Sequence, residues 1–153
     1  TVSHDFEMHH ISIPHRNFII EITVSDTRPL KFHISFEPVV DFELTLSIED
    51  FIERIYKFFG NKEIEIGWKE FDKKYLIKSK RSDLVKELFT QPIQETILKH
   101  QIYSIYYESN ISKREAKLTS VIQRRAGSKK MIYELIEMFK QFIDNLEKLK
   151  IVK

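Results

Sequence analysis

Four of the six histidines in this chain lie within its first fifteen residues, at His4, His9, His10 and His15. Imidazole nitrogens bind zinc, copper and nickel, so this cluster is the first place to look for a metal site. His9 and His15 would share one side of an extended strand but lie about 20 Å apart, too far to hold one ion. We therefore expect surface histidines here and assign no metal ligand.

Neighbouring carboxylates could supply general acid and base catalysis. The close pairs are Glu49 and Asp50, Glu63 and Glu65, and Glu70 and Asp72. Glu63 and Glu65 alternate with isoleucines, which is typical of the solvent face of a strand, whereas a glycosidase pair must face each other across a cleft. Ser120, Asp83 and His100 have the residue types of a catalytic triad, but no serine lies in a nucleophile elbow. We assign no catalytic residue.

Composition removes several other classes of chemistry. Cysteine is absent, which excludes thiol nucleophiles, disulfides, thiolate zinc sites and iron–sulfur clusters. The glycines Gly60, Gly67 and Gly127 are too far apart for a phosphate-binding loop, which excludes Walker and Rossmann fingerprints. No run of about 20 apolar residues exists, so no transmembrane helix is predicted. We expect a domain without a cofactor and favour a non-enzymatic role.

Charge is divided unequally along the chain. Residues 1–60 hold ten acidic and five basic residues, whereas residues 61–153 hold thirteen acidic and twenty basic residues. Such asymmetry occurs in proteins that bind nucleic acid or anionic membranes, and also where two halves of one fold attract each other. Acids interrupt the bases throughout, so we favour the second interpretation and do not expect nucleic-acid binding. The candidate basic surface comprises Lys73, Lys80, Arg81, Arg124 and Arg125.

Alternating apolar residues predict antiparallel strands. The clearest strand is Leu30–Phe36, in which Phe32 and Ile34 should be buried. Lys31 and His33 should be exposed on its other side. Further strands are predicted at Met8–Ile13, Asn17–Val24, Phe42–Leu46, Glu63–Trp68, Phe71–Ser79, Gln101–Glu108 and Ala116–Gln123.

Apolar residues at three- and four-residue spacing predict helices between these strands. Ser47 should be the N-cap of one helix that ends at Gly60, and Ser82 should be the N-cap of a second. A third helix should carry Pro92 in its first turn. The longest should span Ser128–Lys150. Its apolar stripe consists of Ile132, Leu135, Phe139, Phe142, Leu146 and Leu149.

This order of elements predicts an α+β fold, with an antiparallel sheet built from hairpins and helices packed on one face. The long C-terminal helix should cover the sheet of its own chain. A homodimer through the same helix is the alternative, because apolar stripes of this spacing also form coiled coils.

The segment Glu63–Phe89 resembles a motif in a diffuse group of uncharacterised bacterial proteins. The motif G-x-x-x-F-D-x-x-[FY]-x-[IV]-[KR] is matched here by Gly67, Phe71, Asp72, Tyr75, Ile77 and Lys78. No activity is attached to the group. The residues themselves suggest structural roles, because Gly67 permits a turn, Phe71 and Tyr75 suit a core, and Asp72 can bond nearby backbone groups.

The resemblance covers about residues 44–150 and leaves residues 1–43 outside it, within what we expect to be a single domain, 1–153. Many members of the group carry hydrophobic helices before this domain, which would suit a chain that begins at Thr1. We expect a cytoplasmic protein, at the inner face of the membrane only through a segment absent from this chain. The predicted function is a non-enzymatic binding or scaffold module of unknown partner. The alternative is binding of nucleic acid or an anionic membrane surface through the basic C-terminal half.

Overall fold

The computed structural model describes residues 8–25, 27–48, 63–123 and 128–153 of the chain. The strands in these residues are β1 (Met8–His15), β2 (Phe18–Ser25), β3 (Leu30–Phe36), β4 (Leu44–Ile48), β5 (Glu63–Ile64), β6 (Tyr75–Lys78), β7 (Ile102–Asn110) and β8 (Glu115–Ile122). The helices are α1 (Lys69–Lys74), α2 (Ser82–Leu88), α3 (Gln91–His100) and α4 (Lys129–Lys148). This part of the chain forms one antiparallel sheet in the order β1-β2-β3-β8-β7-β4-β6-β5.

The described helices pack on one face of the sheet, which confirms the predicted α+β fold. The core lies between that face and the helices, with α2 and α3 both in contact with α4. The rings of Phe32 in β3 and Phe139 in α4 stack with their centroids 4.7 Å apart. Phe89, which follows α2, meets Phe142 of α4 edge-on at 5.5 Å. The long C-terminal helix therefore covers the sheet of its own chain.

Strand β3 has the predicted bounds and the predicted alternation. Phe32 and Ile34 are fully buried, and Lys31 is exposed. His33 is half-buried, not exposed as predicted, because Thr119 of β8 lies beside it with its hydroxyl 3.4 Å from the imidazole. The single-face burial of this strand is what a period-two pattern dictates when only one side meets a core.

Helix α4 begins where the sequence predicts. The hydroxyl of Ser128 accepts a hydrogen bond from the backbone N–H of Met131 at 3.2 Å, which is an N-cap interaction. The fully buried members of the predicted stripe are Leu135, Phe139, Phe142 and Leu146.

The prediction of one strand over Phe71–Ser79 is wrong in its first half. Residues 69–74 form helix α1, and only Tyr75–Lys78 are extended. The carboxylate of Asp72 accepts hydrogen bonds from the backbone N–H groups of Ile66 and Gly67, both at 2.8 Å. These bonds fold the chain back on itself, so the strand predicted over Glu63–Trp68 is also shortened, to β5.

Two predicted N-caps are also wrong. Ser47 lies inside β4, where it pairs with Leu76 on one side and Ser104 on the other, so neighbouring strands satisfy its backbone instead of a helix. The helix predicted to follow it, up to Gly60, lies outside the described residues. Ser82 lies within α2, whose N-cap is Arg81, and no side chain caps that helix.

Candidate functional site on the open face of the sheet

The side of the sheet that faces away from α1–α4 is called the open face below. The register of the strands places one polar row across it, side by side from β2 to β4. The row consists of Glu21, His33, Thr119, Tyr106 and Thr45. Glu21 is exposed and the other four are half-buried. The members on β2, β3, β8 and β7 can contact a ligand or a partner.

The open face is accessible only over part of its width. On the same side, Ser47 in β4 and Leu76 and Lys78 in β6 are buried. By contrast Ile19 in β2 is 54% exposed. A binding site on this face therefore has to lie over β1, β2, β3, β8 and β7.

His33 and Ser35 have the residue types of a base and a nucleophile. The Ser35 hydroxyl lies 3.4 Å from Nε2 of His33, and the Thr119 hydroxyl lies 3.4 Å from Nδ1. Both contacts are long, and the group beside Nδ1 is a neutral hydroxyl instead of the carboxylate that orients a catalytic imidazole. The pair is better suited to hydrogen bonding with a ligand than to nucleophilic catalysis.

A second polar chain joins β7 to β8. The hydroxyl of Tyr106 donates to Glu108 at 2.8 Å, and Nζ of Lys117 lies 3.0 Å from the other carboxylate oxygen. The hydrogen bond from Tyr106 and that from Lys117 lower the pKa of Glu108, although partial burial opposes the shift. Burial, together with the hydrogen bond to Glu108, raises the pKa of Tyr106 to about 12. At neutral pH the carboxylate is therefore ionised and the phenol is a fixed donor.

These two groups of side chains border a concavity of about 520 Å³ at the ends of β3, β7 and β8, called the strand-end concavity below. Its charged and polar lining includes His33, Ser35, Glu108, Asn110, Lys113 and Lys117. Glu115 also borders it, so two lysines are matched by two glutamates. The surface is thus rich in donors and acceptors and has little net charge.

The motif residues lie around α1 and β6, and β4 separates β6 from β7 of the concavity. Gly67 has a positive φ of 107°, a conformation that side chains disfavour, and Asp72 holds its N–H. The ring of Phe71 stacks on that of Tyr75 with centroids 5.1 Å apart, and the Tyr75 hydroxyl donates to the carbonyl of Ile97 at 3.3 Å. Burial raises the pKa of Tyr75. This arrangement packs a turn against the core.

Lys78, the last residue of the motif, is buried in β6 on the side away from the core, where its strand partners are Thr45 and Glu63. A buried lysine cannot form part of an exposed basic surface.

In the part of the candidate basic surface that the structure describes, acidic side chains lie beside two of the three basic residues. Lys73 is exposed on α1. Nζ of Lys80 lies 3.8 Å from Glu43, and the guanidinium of Arg81 binds Asp83 at 3.0 and 3.1 Å. Arg124 and Arg125 lie outside the described residues.

The histidine cluster is spread out along β1, apart from His4, which lies outside the described residues. His15 binds Asp144 of α4 at 2.8 Å, and His10 faces the hydroxyl of Thr23 at 3.3 Å. Over the described ranges, no three histidine or acidic side chains are grouped so as to hold a metal ion. Nor is any described helix long and apolar enough to span a membrane.

Sequence reasoning did not find the strand-end concavity. Its residues come from three strands that are distant in sequence, and only the register of β3, β8 and β7 brings them together. The one local signal was the alternation of polar residues at His33 and Ser35 in β3 and at Tyr106 and Glu108 in β7.

A scan against protein-family models finds no match, and a search of curated proteins finds none either. A search of solved structures finds similarity to the mycobacterial trehalose monomycolate transport factor A, TtfA, with a TM-score of 0.53 and 11% sequence identity. The match covers 95% of this chain and 89% of the TtfA chain. At such low identity the likeness shows a shared fold alone.

Proposed function

We propose that this chain is a non-enzymatic binding domain that holds a polar, uncharged ligand in the strand-end concavity. The observation that carries the proposal is the difference between the two faces of the sheet. The core face is filled by the described helices, whereas the open face keeps a concavity of about 520 Å³ lined by hydrogen-bonding side chains. Pockets that combine concave shape with convergent polar groups are the usual binding sites of small molecules.

The balance of charges favours an uncharged ligand. Glu108 and Lys117 neutralise each other at 3.0 Å, and Lys113 is offset by Glu115 on the same hairpin. An anion or a cation would meet charges of both signs. Hydroxyl groups both donate and accept hydrogen bonds, so a ligand rich in hydroxyls can pair with serine, asparagine and histidine alike.

Two further points support binding over catalysis. The His33–Ser35 pair lacks a carboxylate orienter, and both of its contacts are 3.4 Å long. TtfA, which shares the fold, is a trehalose monomycolate transport factor. Trehalose is therefore a suitable first probe for this chain.

The experiment is an NMR titration of isotope-labelled protein with trehalose and, separately, with inorganic phosphate. We expect trehalose to shift the backbone amide signals of Ser35, Asn110 and Lys117, and phosphate to leave them in place. Ser35→Tyr fills the concavity and should abolish the shifts. Lys31→Tyr is the matched control, because Lys31 is an exposed residue on the same side of the same strand, four residues before Ser35.

Three results would contradict the proposal. They are shifts with phosphate but not trehalose, shifts that survive Ser35→Tyr, and no shift with either probe. Retention on heparin that falls steeply with salt would instead support the alternative function, because phosphate-like contacts release counterions. The acids beside Lys80 and Arg81 speak against that alternative.

We further propose that the domain works beside the cytoplasmic face of a bacterial membrane, as its resemblance to proteins with upstream hydrophobic helices implies. Fractionation of the full-length gene product tests this point. Recovery in the membrane fraction, with this domain open to protease only after the membrane is permeabilised, is the expected result. Recovery only in the soluble fraction would contradict it.

A further inference from the structure

Strand β1 forms one end of the sheet and is well fixed there. It pairs with β2 over its full length, from Met8 opposite Ser25 to His15 opposite Phe18. Its end is held to α4, because His15 and Arg16 both bind Asp144 and Arg16 also binds Glu147. Among the described residues, no strand pairs with its other edge. That edge is a regular row of backbone hydrogen-bonding groups.

Pro14 shows which backbone groups point outward. It lies within the ladder opposite Ile19 but has no N–H to donate, so its backbone faces away from β2. Backbone groups alternate in direction along an antiparallel strand. The N–H and C=O groups of Met8, His10 and Ser12 therefore face outward too, and the side chains of His10 and Ser12 are exposed.

Within the residues that the structure describes, this edge lacks most of the usual protection against pairing. Natural edge strands are blunted by charged side chains, by proline, or by a covering segment. Residues 8–15 contain no Lys, Arg, Asp or Glu, and Pro14 blocks only one end. Ile11 is 38% exposed, although Ile22, its neighbour across the ladder, is buried. An edge strand without acidic, lysine or arginine residues and with an exposed isoleucine at its middle is a template for another strand.

We infer that β1 pairs with β1 of a second copy of this chain, antiparallel, across a twofold axis at Ile11. This register brings the outward-facing backbone of His10 against that of Ser12 in the second copy, and the reverse. Ile11 then packs on Ile11 of the second copy and continues the core face formed by Ile22. The sheets of the two copies become one continuous sheet.

A second copy is the occupant that this strand fits best, because the strand is complementary to itself. In this register the core-side residues of the two strands lie on the same side of the joined sheet, with Ile11 beside Ile11 and Ile13 beside His9. The open-face residues His10 and Ser12 lie opposite each other on the other side. The strand has no Asp, Glu, Lys or Arg to repel the same residue of a second copy. The strand-end concavity lies over β3, β7 and β8 and stays accessible in the dimer.

The absence of cysteine makes the register directly testable. Ile11→Cys places two thiols opposite each other in a non-hydrogen-bonded pair, where Cα atoms lie about 4.5 Å apart, within disulfide range. Ile19→Cys is the matched control, since Ile19 is an exposed isoleucine of the adjacent strand that lies off the axis. Under mild oxidation we expect a covalent dimer from Ile11→Cys and monomer from Ile19→Cys.

Sedimentation of the unmodified chain over a range of concentrations tests the dimer itself. We expect a reversible dimer that Ser12→Pro abolishes, because proline removes an outward N–H without touching the bonds to β2. Circular dichroism should show that this variant stays folded, and Ile11→Lys repeats the test by placing a charge at the axis. A wild type that is monomeric throughout, or a dimer that survives both substitutions, would overturn the inference.

Discussion

The two ends of the sheet differ in how many of their faces are covered. In β4 and β6 both faces are buried, with Leu46 and Ile77 on the core face and Ser47 and Leu76 on the other. In β2 the core face is buried, whereas Ile19 and Glu21 on the other side are exposed. The motif that suggested kinship lies at the covered end. Side chains there stabilise the fold, so binding has to be sought at the uncovered end.

The largest expected effect is on the contact that covers the core face. Phe139→Asp places a carboxylate where Phe139 is fully buried against Phe32, and burying a charge without a partner costs several kcal/mol. We expect the variant to be unfolded at every protein concentration, as measured by circular dichroism and sedimentation. A coiled-coil dimer through α4 predicts a folded monomer instead, and observing one would refute the intrachain packing.

The next largest effect is the difference in stability loss between a core-face and an open-face substitution in the same half of the sheet. Phe32→Ala should lower the free energy of unfolding by about 3–5 kcal/mol, as large-to-small changes in cores do. Ile19→Ala, on the open side of the adjacent strand, should change it by less than about 0.5 kcal/mol. Urea unfolding of both variants measures the difference. Equal losses would mean that the open face is covered in solution.

A third substitution compares the two ends on the same side of the sheet. Leu76 and Ile19 both point away from the core, but Leu76 is only 6% exposed whereas Ile19 is 54% exposed. Leu76→Ala should therefore destabilise the protein by about 2–4 kcal/mol, within the range for buried leucines. Urea unfolding, with Ile19→Ala as the reference, measures it. A loss near zero would show that the covered end is open in solution.

The sequence predicts most accurately those helices and strands that have one buried and one exposed face. Strand β3 matches its prediction because a strand between core and solvent must alternate, and α4 matches because Ser128 caps a wide apolar stripe. Strand β6 is buried on both faces, so it shows no alternation and its start was misplaced. Helix α1 depends on Asp72, whose bonds to the backbone of residues 66 and 67 leave no periodic signal.

The candidate site was beyond sequence reasoning for a different reason. A site made of His33, Glu108 and Lys117 exists only when β3, β8 and β7 are paired in the observed register. Each residue alone is an ordinary polar member of an alternating strand. The local sequence pattern therefore predicts on which side of its strand a residue lies. The order and register of the strands determine which residues lie beside it.

The smallest expected effect is the pH dependence of stability that Glu108 contributes at the uncovered end. The hydrogen bonds from Tyr106 and Lys117 hold the pKa of Glu108 below its ordinary value of 4.5. The pKa of Glu108 is lower in the folded than in the unfolded protein. Its bonds to Tyr106 and Lys117 therefore contribute their full stabilisation at pH values above the ordinary pKa. That stabilisation is lost as the pH falls through the folded-state pKa.

Glu108→Gln removes this carboxylate and keeps the size of the side chain. We expect the variant to be less stable than the wild type at neutral pH and the difference to vanish in acid, because the wild-type carboxylate is then protonated as well. Thermal unfolding over a series of pH values measures the difference, and Glu115→Gln, an exposed residue at the rim of the same concavity, is the control. A Glu108→Gln difference that persists unchanged into acid would come from packing instead of charge. In that case the charge of Glu108 would not stabilise the fold through Tyr106 and Lys117, and this difference between the uncovered and the covered end of the sheet would be lost.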